Sequence, residues 1–121
     1  MCGIFAILNN ITFSQPYIEA QFKHGESRGP ETSKLEKINK IYFGFHRLAI
    51  NGLTDLSNQP FQISDCVLIC NGEIYNYKKL YAMFNIIPTT MSDCEIIIHL
   101  YLKFGIEYTL QLLDGCFAFC L

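Results

Sequence analysis

The chain begins Met-Cys-Gly-Ile-Phe-Ala-Ile-Leu (residues 1–8), a thiol followed by a nearly continuous apolar run. A run of this length predicts a β-strand over residues 3–8 that is covered on both faces. Cys2 stands directly behind Met1 and is small enough for an aminopeptidase to remove that methionine. Removal would place a free α-amino group beside the Cys2 sulfur.

Such an amine is a suitable base for its own thiol. An α-amino group has a pKa of about 7.7–8.0, close to the pH at which general bases work best. N-terminal nucleophiles activated by their own amine are a known catalytic arrangement. The same residues also fit a buried cysteine at the start of an apolar strand, so the rest of the sequence must decide.

Composition limits the classes of protein and partner. The 121 residues are 50% hydrophobic and 14% aromatic, with a formal net charge of −2. The length fits one domain with a real core, and the charge indicates neither a nucleic-acid nor an anionic-membrane partner. The apolar runs are far shorter than the roughly 20 residues that span a bilayer, and no secretory leader is recognisable. We therefore expect a cytosolic protein.

Six cysteines stand at positions 2, 66, 70, 94, 116 and 120. They form no Cys-x-x-Cys pair, and the histidines lack zinc-finger spacing, so we expect no metal site. Without a secretory leader, free thiols are expected rather than disulfides.

Turn residues and apolar periodicity divide the first half of the chain. They predict a short helix capped by Ser14, a strand over residues 41–46 with Arg47 at its end, and a strand over residues 66–70. Residues 71–73 (Asn-Gly-Glu) should end that last strand, because Asn-Gly is a strong turn dipeptide.

The second half is predicted to be more helical. Residues 75–84 and 106–113 have helical apolar spacing, and Ser92 with Glu95 forms a capping-box pattern ahead of another helix. Residues 115–121 return to an apolar strand. The order of elements predicts an α+β or layered α/β fold.

Polar residues that follow these strands are suited to one site around Cys2. The Arg47 guanidinium could bind a carboxylate through two parallel hydrogen bonds. The Asn71 amide and the nearby Gly72 N–H could stabilise a developing oxyanion.

Two carboxylates complete this set. Glu73 follows the oxyanion candidates, and Asp93 stands at the start of a helix. Together they could hold an ammonium group, so the predicted substrate carries a carboxylate, an ammonium and a carbonyl. Each residue also has an ordinary alternative role in an ion pair, a turn or a helix start. His46 and His99 are more typical of packing or surface residues than of a base.

The motifs in sequence order are MCGIF (1–5), RGP (28–30), FGFHRLAI (43–50), QP (59–60), NGEIYN (71–76), DCEII (93–97) and LDGCFAF (113–119). Their combination resembles the glutaminase domain of glutamine-hydrolysing asparagine synthetases, which are class II glutamine amidotransferases. The resemblance covers essentially the whole chain, residues 1–121. It implies an N-terminal nucleophile hydrolase fold, an α/β/β/α layered sandwich.

The resemblance also implies a reaction. Cys2 would attack the glutamine side-chain amide, with Asn71 and the Gly72 N–H as the oxyanion hole. Arg47 would bind the α-carboxylate of glutamine. Glutamate and ammonia would be the products.

Further family features concern the rest of the pocket and the second reaction. The family implies that Glu73 and Asp93 bind the α-ammonium, and that backbone groups near Leu48 and Ile50 line the pocket. Ammonia would then pass to an ATP-dependent synthetase domain. ATP and Mg would belong to that domain, so no cofactor is expected here.

The sequence departs from the family in two respects. Ser27 and Glu31 differ from the usual residues around the RGP motif, outside the nucleophile and oxyanion set. The family's glutaminase domain also continues with strands beyond the position of Leu121, which implies a C-terminally incomplete sandwich without a synthetase domain. A synthetase domain on another polypeptide is then a possible partner.

Two other interpretations stay open at this point. The chain could be a catalytically inactive, truncated remnant that acts as an interaction module. It could also be a thiol-dependent hydrolase of another acyl substrate, which would use Cys2 but would leave Arg47, Glu73 and Asp93 unexplained.

Overall fold

The computed structural model describes residues 2–121, so the predicted removal of Met1 concerns a residue outside this range. Residues 2–121 form six strands and four α-helices. The strands are β1 (Gly3–Ile7), β2 (Thr32–Ile38), β3 (Ile41–Arg47), β4 (Phe61–Ile63), β5 (Cys66–Ile74) and β6 (Gly115–Cys120). The helices are α1 (Gln15–Lys23), α2 (Tyr77–Phe84), α3 (Ile96–Phe104) and α4 (Ile106–Leu112).

The strands form two antiparallel sheets, ordered β1-β3-β2 and β4-β5-β6. Phe43 and Phe45 of β3 pack against Ile69 of β5, so the two sheets lie face to face. Ile4 of β1 joins this apolar layer from the edge of its sheet.

Helices cover the outer face of each sheet. On the first sheet, Phe22 of α1 stacks on His46 with ring centroids 4.0 Å apart and meets Phe5 edge-on at 5.8 Å. On the second sheet, Leu80 of α2 and Leu100 of α3 belong to the same buried core as strand residues of β5. The structure is therefore an α/β/β/α sandwich, and the predicted fold class is confirmed.

Several local predictions agree with the structure. Ser14 caps α1 by accepting a hydrogen bond from the Tyr17 N–H (3.4 Å). The strand predicted over residues 41–46, the helix over 106–113 and the strand over 115–121 are present with end shifts of a residue or so. β1 is covered on both faces as predicted, by α1 on one side and the second sheet on the other.

The predicted turn at residues 71–73 is wrong, because β5 continues through them to Ile74. β6 pairs with this whole segment, placing Gly72 opposite Phe117. A Cβ on Gly72 would collide with the Cys116 carbonyl oxygen and lie 2.5 Å from the Phe117 Cα. Gly72 therefore permits close approach of two backbones, a tertiary requirement that overrides the local turn preference.

The predicted capping box forms only in part. Ser92 Oγ accepts a hydrogen bond from the Cys94 N–H (3.3 Å), as a cap should. Glu95 does not return the bond to Ser92 but accepts bonds from Thr89 and Thr90. A 3-10 turn over Asp93–Glu95 precedes α3.

Strands β2 and β4 were not predicted. Both pair with a neighbouring strand of their sheet, β2 with β3 and β4 with β5. β2 carries little apolar alternation, and β4 alternates but has only three residues, too few for a strand to be predicted from its pattern alone.

Candidate active site

All eight predicted site residues lie around one cleft, although they come from four separate parts of the chain. They are Cys2, Arg47, Leu48, Ile50, Asn71, Gly72, Glu73 and Asp93. The cleft encloses about 470 Å³ of space between atoms, part of it open to solvent.

Strand register places Cys2 beside the end of β3. Gly3 pairs with His46, so Cys2 meets the residues that follow Arg47. The Cys2 Sγ lies 3.3 Å from both the backbone N and the backbone O of Leu48. The half-buried thiol is thereby held at the wall of the cleft by a neighbouring strand end.

The histidines are engaged away from this thiol. His46 is 2% exposed, and its two ring nitrogens bond to Ser33 Oγ (2.6 Å) and the Phe22 carbonyl (2.8 Å). Because a carbonyl only accepts, Nε2 of His46 carries the proton and Nδ1 accepts from Ser33. His99 Nε2 lies 2.9 Å from Glu95 Oε1. Both act in packing networks, and no hydrogen bond joins either to Cys2 in the described structure.

Arg47 is a buried cation whose protein partners are all neutral. It is 7% exposed and donates to Asn58 Oδ1 (2.9 Å), the Gly52 carbonyl (2.5 Å) and the Thr54 carbonyl (3.1 Å). Within residues 2–121 no carboxylate lies within 4.0 Å of it. Buried charges usually have an ionic partner. The guanidinium has five N–H groups, so donors remain for a carboxylate beyond the three bonds just named. Arg47 is thus suited to an anionic ligand.

Asp93 presents the opposite case. It is 4% exposed, and its Oδ2 accepts the Ile74 N–H at 2.7 Å. Across the part of the chain that the structure describes, neither Asp93 nor the half-buried Glu73 has a cationic side chain within 4.0 Å. A guanidinium without a carboxylate and two carboxylates without a cation therefore line the same cleft. This arrangement suits a zwitterionic α-amino acid.

The oxyanion candidates lie on β5 between these groups. Asn71 Oδ1 is buried and has no hydrogen-bond partner within residues 2–121. A buried amide oxygen is normally satisfied, so a group from a ligand or water would complete this environment. The neighbouring Gly72 carbonyl accepts a weak bond from the Cys94 thiol (3.7 Å).

Cys94 is a second thiol that lines the cleft, and it stays protonated at neutral pH. A hydrogen bond with Cys70, together with burial, raises the pKa of Cys94 far above its ordinary value. Since the thiolate is the reactive form, Cys94 is not a nucleophile at neutral pH. All six cysteines are free thiols. Cys70 also lines the cleft but is 1% exposed, so the half-buried Cys2 is its most accessible thiol.

Two supporting residues had no predicted role, although Gln59 belongs to the QP motif. The Gln59 side chain is 4% exposed and bonds to both backbone groups of Cys70, to the N–H (2.5 Å) and the carbonyl (3.1 Å). Asn58 holds the Arg47 guanidinium. Both belong to the polar loop over residues 51–60, whose composition alone signals a loop but not which side chains turn inward.

Within residues 2–121 no cluster of three or more His, Cys, Asp or Glu could hold a metal ion. No helix in this range has the length and apolarity needed to cross a bilayer.

Comparison with known proteins identifies the family of this chain. Residues 1–121 match the family described as the glutamine amidotransferase domain. The chain belongs to this family. It is 40% identical over 127 aligned residues to a protein named asparagine synthetase [glutamine-hydrolyzing] from Bos taurus. The proteins of that name from Homo sapiens and Gallus gallus are 39% and 38% identical over the same length.

The alignments cover 100% of this glutamine amidotransferase domain but only 22% of each relative. The chain therefore spans about a fifth of the length of the curated relatives it matches. The family resemblance that the sequence motifs indicated is confirmed.

Proposed function

We propose that this glutamine amidotransferase domain hydrolyses the side-chain amide of glutamine to glutamate and ammonia, with Cys2 as the nucleophile. The observation that carries the proposal is the complementary charge of the cleft. Within residues 2–121 Arg47 lacks a carboxylate partner, and Asp93 and Glu73 lack a cationic one, and all three line the same cleft as Cys2. Arg47 would bind the α-carboxylate of glutamine, and the two acids its α-ammonium.

Binding in this way would direct the side-chain amide towards Cys2. Once Met1 is removed, the α-amine takes the thiol proton, and the sulfur attacks the amide carbon. The Asn71 amide and the Gly72 N–H would stabilise the oxyanion that forms. The amine then returns the proton to the departing nitrogen, which leaves as ammonia. Water, deprotonated by the same amine, cleaves the thioester to glutamate and regenerates the thiol.

Leu48 and Ile50 would shape the pocket. Leu48 holds the Cys2 sulfur through its backbone, and Ile50 lines the cleft from the same loop. We further propose that the ammonia serves a synthetase domain, as the names of the similar proteins suggest. Hydrolysis itself needs no cofactor, and ATP and Mg would act in that other domain. The cytosol is the proposed compartment.

The test is an ammonia-release assay on purified protein whose N-terminus has been read by mass spectrometry. Protein that begins at Cys2 should convert glutamine to equimolar glutamate and ammonia. Cys2→Ala should abolish the reaction, and Cys116→Ala, which removes an exposed thiol outside the cleft, should not.

Two outcomes would contradict the proposal. Equal turnover by protein that retains Met1 would exclude the α-amine of Cys2 as the base. Folded protein that begins at Cys2 but neither binds nor hydrolyses glutamine would favour the inactive interaction module instead.

A further inference from the structure

Glu95 is a completely buried carboxylate outside the cleft. Its residue exposure is 0%, and five donors surround its two oxygens. Oε1 accepts from the Thr89 N–H and hydroxyl, both at 2.7 Å, and from His99 at 2.9 Å. Oε2 accepts from the Thr90 N–H (2.6 Å) and hydroxyl (2.5 Å). Such a carboxylate fixes the backbone to which it is bonded.

The electrostatic state of Glu95 agrees with this arrangement. Burial by itself raises the pKa of the Glu95 carboxyl. The hydrogen bonds from Thr90, His99 and Thr89 outweigh burial, so the pKa lies below its ordinary value. The carboxylate is therefore ionised at neutral pH and binds its donors in the charged form.

The segment that Glu95 holds leads directly into the cleft. Thr90 Oγ1 accepts the Ser92 N–H at 3.1 Å, and Ser92 lines the cleft next to Asp93. Residues 89–92, which we call the threonine segment, thus place the ammonium-binding candidate. This route runs from Glu95 to one end of the proposed substrate.

The same segment supports the other end of the cleft. Gly52 has a φ of +64°, and a Cβ there would lie 2.9 Å from the Met91 carbonyl carbon. The Gly52 backbone therefore packs directly on the threonine segment. The Gly52 carbonyl is also the acceptor nearest to the Arg47 guanidinium.

We propose that Glu95 is a positioning residue that holds the threonine segment and, through it, places both Asp93 and Arg47 for binding of the amino-acid substrate. Cys2 directly precedes β1, and Asn71 lies on β5. Among the described residues, Glu95 forms no hydrogen bond with either strand. Loss of the Glu95 charge should therefore weaken substrate binding more than the chemical step. The kinetic part of this proposal rests on the proposed function.

Glu95→Gln is the informative variant because it keeps the shape but places an amide N–H₂ against groups that donate. We expect about a tenfold rise in the KM for glutamine, in line with the loss of charge-assisted bonds, and a kcat within about threefold of wild type. A residue that only stabilised the fold would lower the active fraction, and hence kcat, with KM unchanged. Glu107→Gln, at an exposed carboxylate of α4, is the matched control.

Backbone amide hydrogen exchange tests the positioning without any substrate. Glu95→Gln should speed exchange about tenfold or more in residues 89–92 and in the loop around Gly52, and leave β1 and β3 unchanged. If Glu95→Gln does not fold, Thr90→Val and Thr90→Ser replace it. Valine lacks the hydroxyl that bonds Glu95 and should raise KM, whereas serine keeps it and should not.

The outcomes separate the two proposals. Wild-type protein that neither binds nor hydrolyses glutamine would contradict the proposed function and leave the exchange measurement to decide on Glu95. Active wild-type protein with an unchanged KM in Glu95→Gln, or unchanged exchange around Gly52, would overturn the Glu95 proposal alone.

Discussion

The sulfur of Cys2 lies 3.3 Å from the backbone nitrogen of Leu48 and 3.3 Å from its carbonyl oxygen. The N–H can donate to the sulfur, and the thiol can donate to the carbonyl. Antiparallel pairing of β1 with β3 brings these residues together, although 46 positions separate them. A neighbouring strand end therefore orients the candidate nucleophile without a histidine.

Replacing Cys2 by serine tests whether the sulfur is needed for chemistry or for binding. We expect Cys2→Ser to lower kcat by at least about 10³-fold, because a hydroxyl is a much weaker nucleophile at neutral pH. Glutamine affinity, measured by calorimetry, should stay within about threefold of wild type, since Arg47 and Asp93 are unchanged. A serine variant with near-normal turnover would show that another group attacks the substrate.

Replacing Arg47 by lysine tests the carboxylate subsite. Lysine keeps the charge but cannot form two parallel hydrogen bonds, so the KM for glutamine should rise about 10- to 100-fold. Steady-state kinetics would measure the KM of Arg47→Lys. The control is Lys79→Gln, which removes an exposed cation of α2 and should leave the KM unchanged. An unchanged KM in Arg47→Lys would remove Arg47 from the substrate site.

Gly72→Ala tests the close approach of β5 and β6. The added Cβ would collide with the Cys116 carbonyl oxygen, so we expect a loss of about 1–3 kcal/mol in the free energy of unfolding. Turnover should fall as well, because the backbone of the oxyanion candidate shifts. Gly105→Ala is the comparison, since a Cβ there has no atom within 4 Å and only its φ of +78° opposes the change. Denaturant unfolding of the two variants separates collision from backbone conformation, and a neutral Gly72→Ala would contradict the register.

The Glu95 carboxylate should make stability depend on acid pH. Its pKa in the folded protein lies below the ordinary value of 4.5. Its contribution to the free energy of unfolding is therefore complete above that value and is lost as the pH falls through the lower, folded pKa. Among the titratable groups, His99 bonds to Glu95, and Tyr81 lies close enough for the Glu95 charge to raise its pKa.

Denaturant unfolding between about pH 6 and about pH 3 measures this dependence. Wild-type stability should decline towards pH 3 more steeply than that of Glu95→Gln, which cannot titrate at this position. Tyr81 stays neutral throughout, because burial and the charges of Glu95 and Asp93 raise its pKa far above its ordinary range. Parallel curves for the two proteins would show that the pKa of Glu95 is the same in the folded and unfolded protein, and would contradict the lowered pKa.

The sequence by itself determined the family, the fold class and eight of the residues around the cleft. These features are carried by local patterns, such as the Ser14 cap of α1 and the apolar run of β3, and by motifs whose residue types suit one chemistry. Short-range periodicity records whether a residue is buried, and that information survives in the sequence alone.

Only the tertiary structure decided how those residues are held. The local sequence predicts a turn at residues 71–73, but in the structure they pair with β6. It also predicts that Glu95 belongs to a capping box, but the threonine segment binds its carboxylate. The physical reason is the same in both cases. Strand pairing and the hydrogen bonding of a buried charge depend on how the folded backbone brings groups to a residue. β6 pairs with residues 71–73 from about 45 positions away, and Thr89 and Thr90 turn back onto Glu95 from six and five positions before it. A local pattern contains no information about either approach.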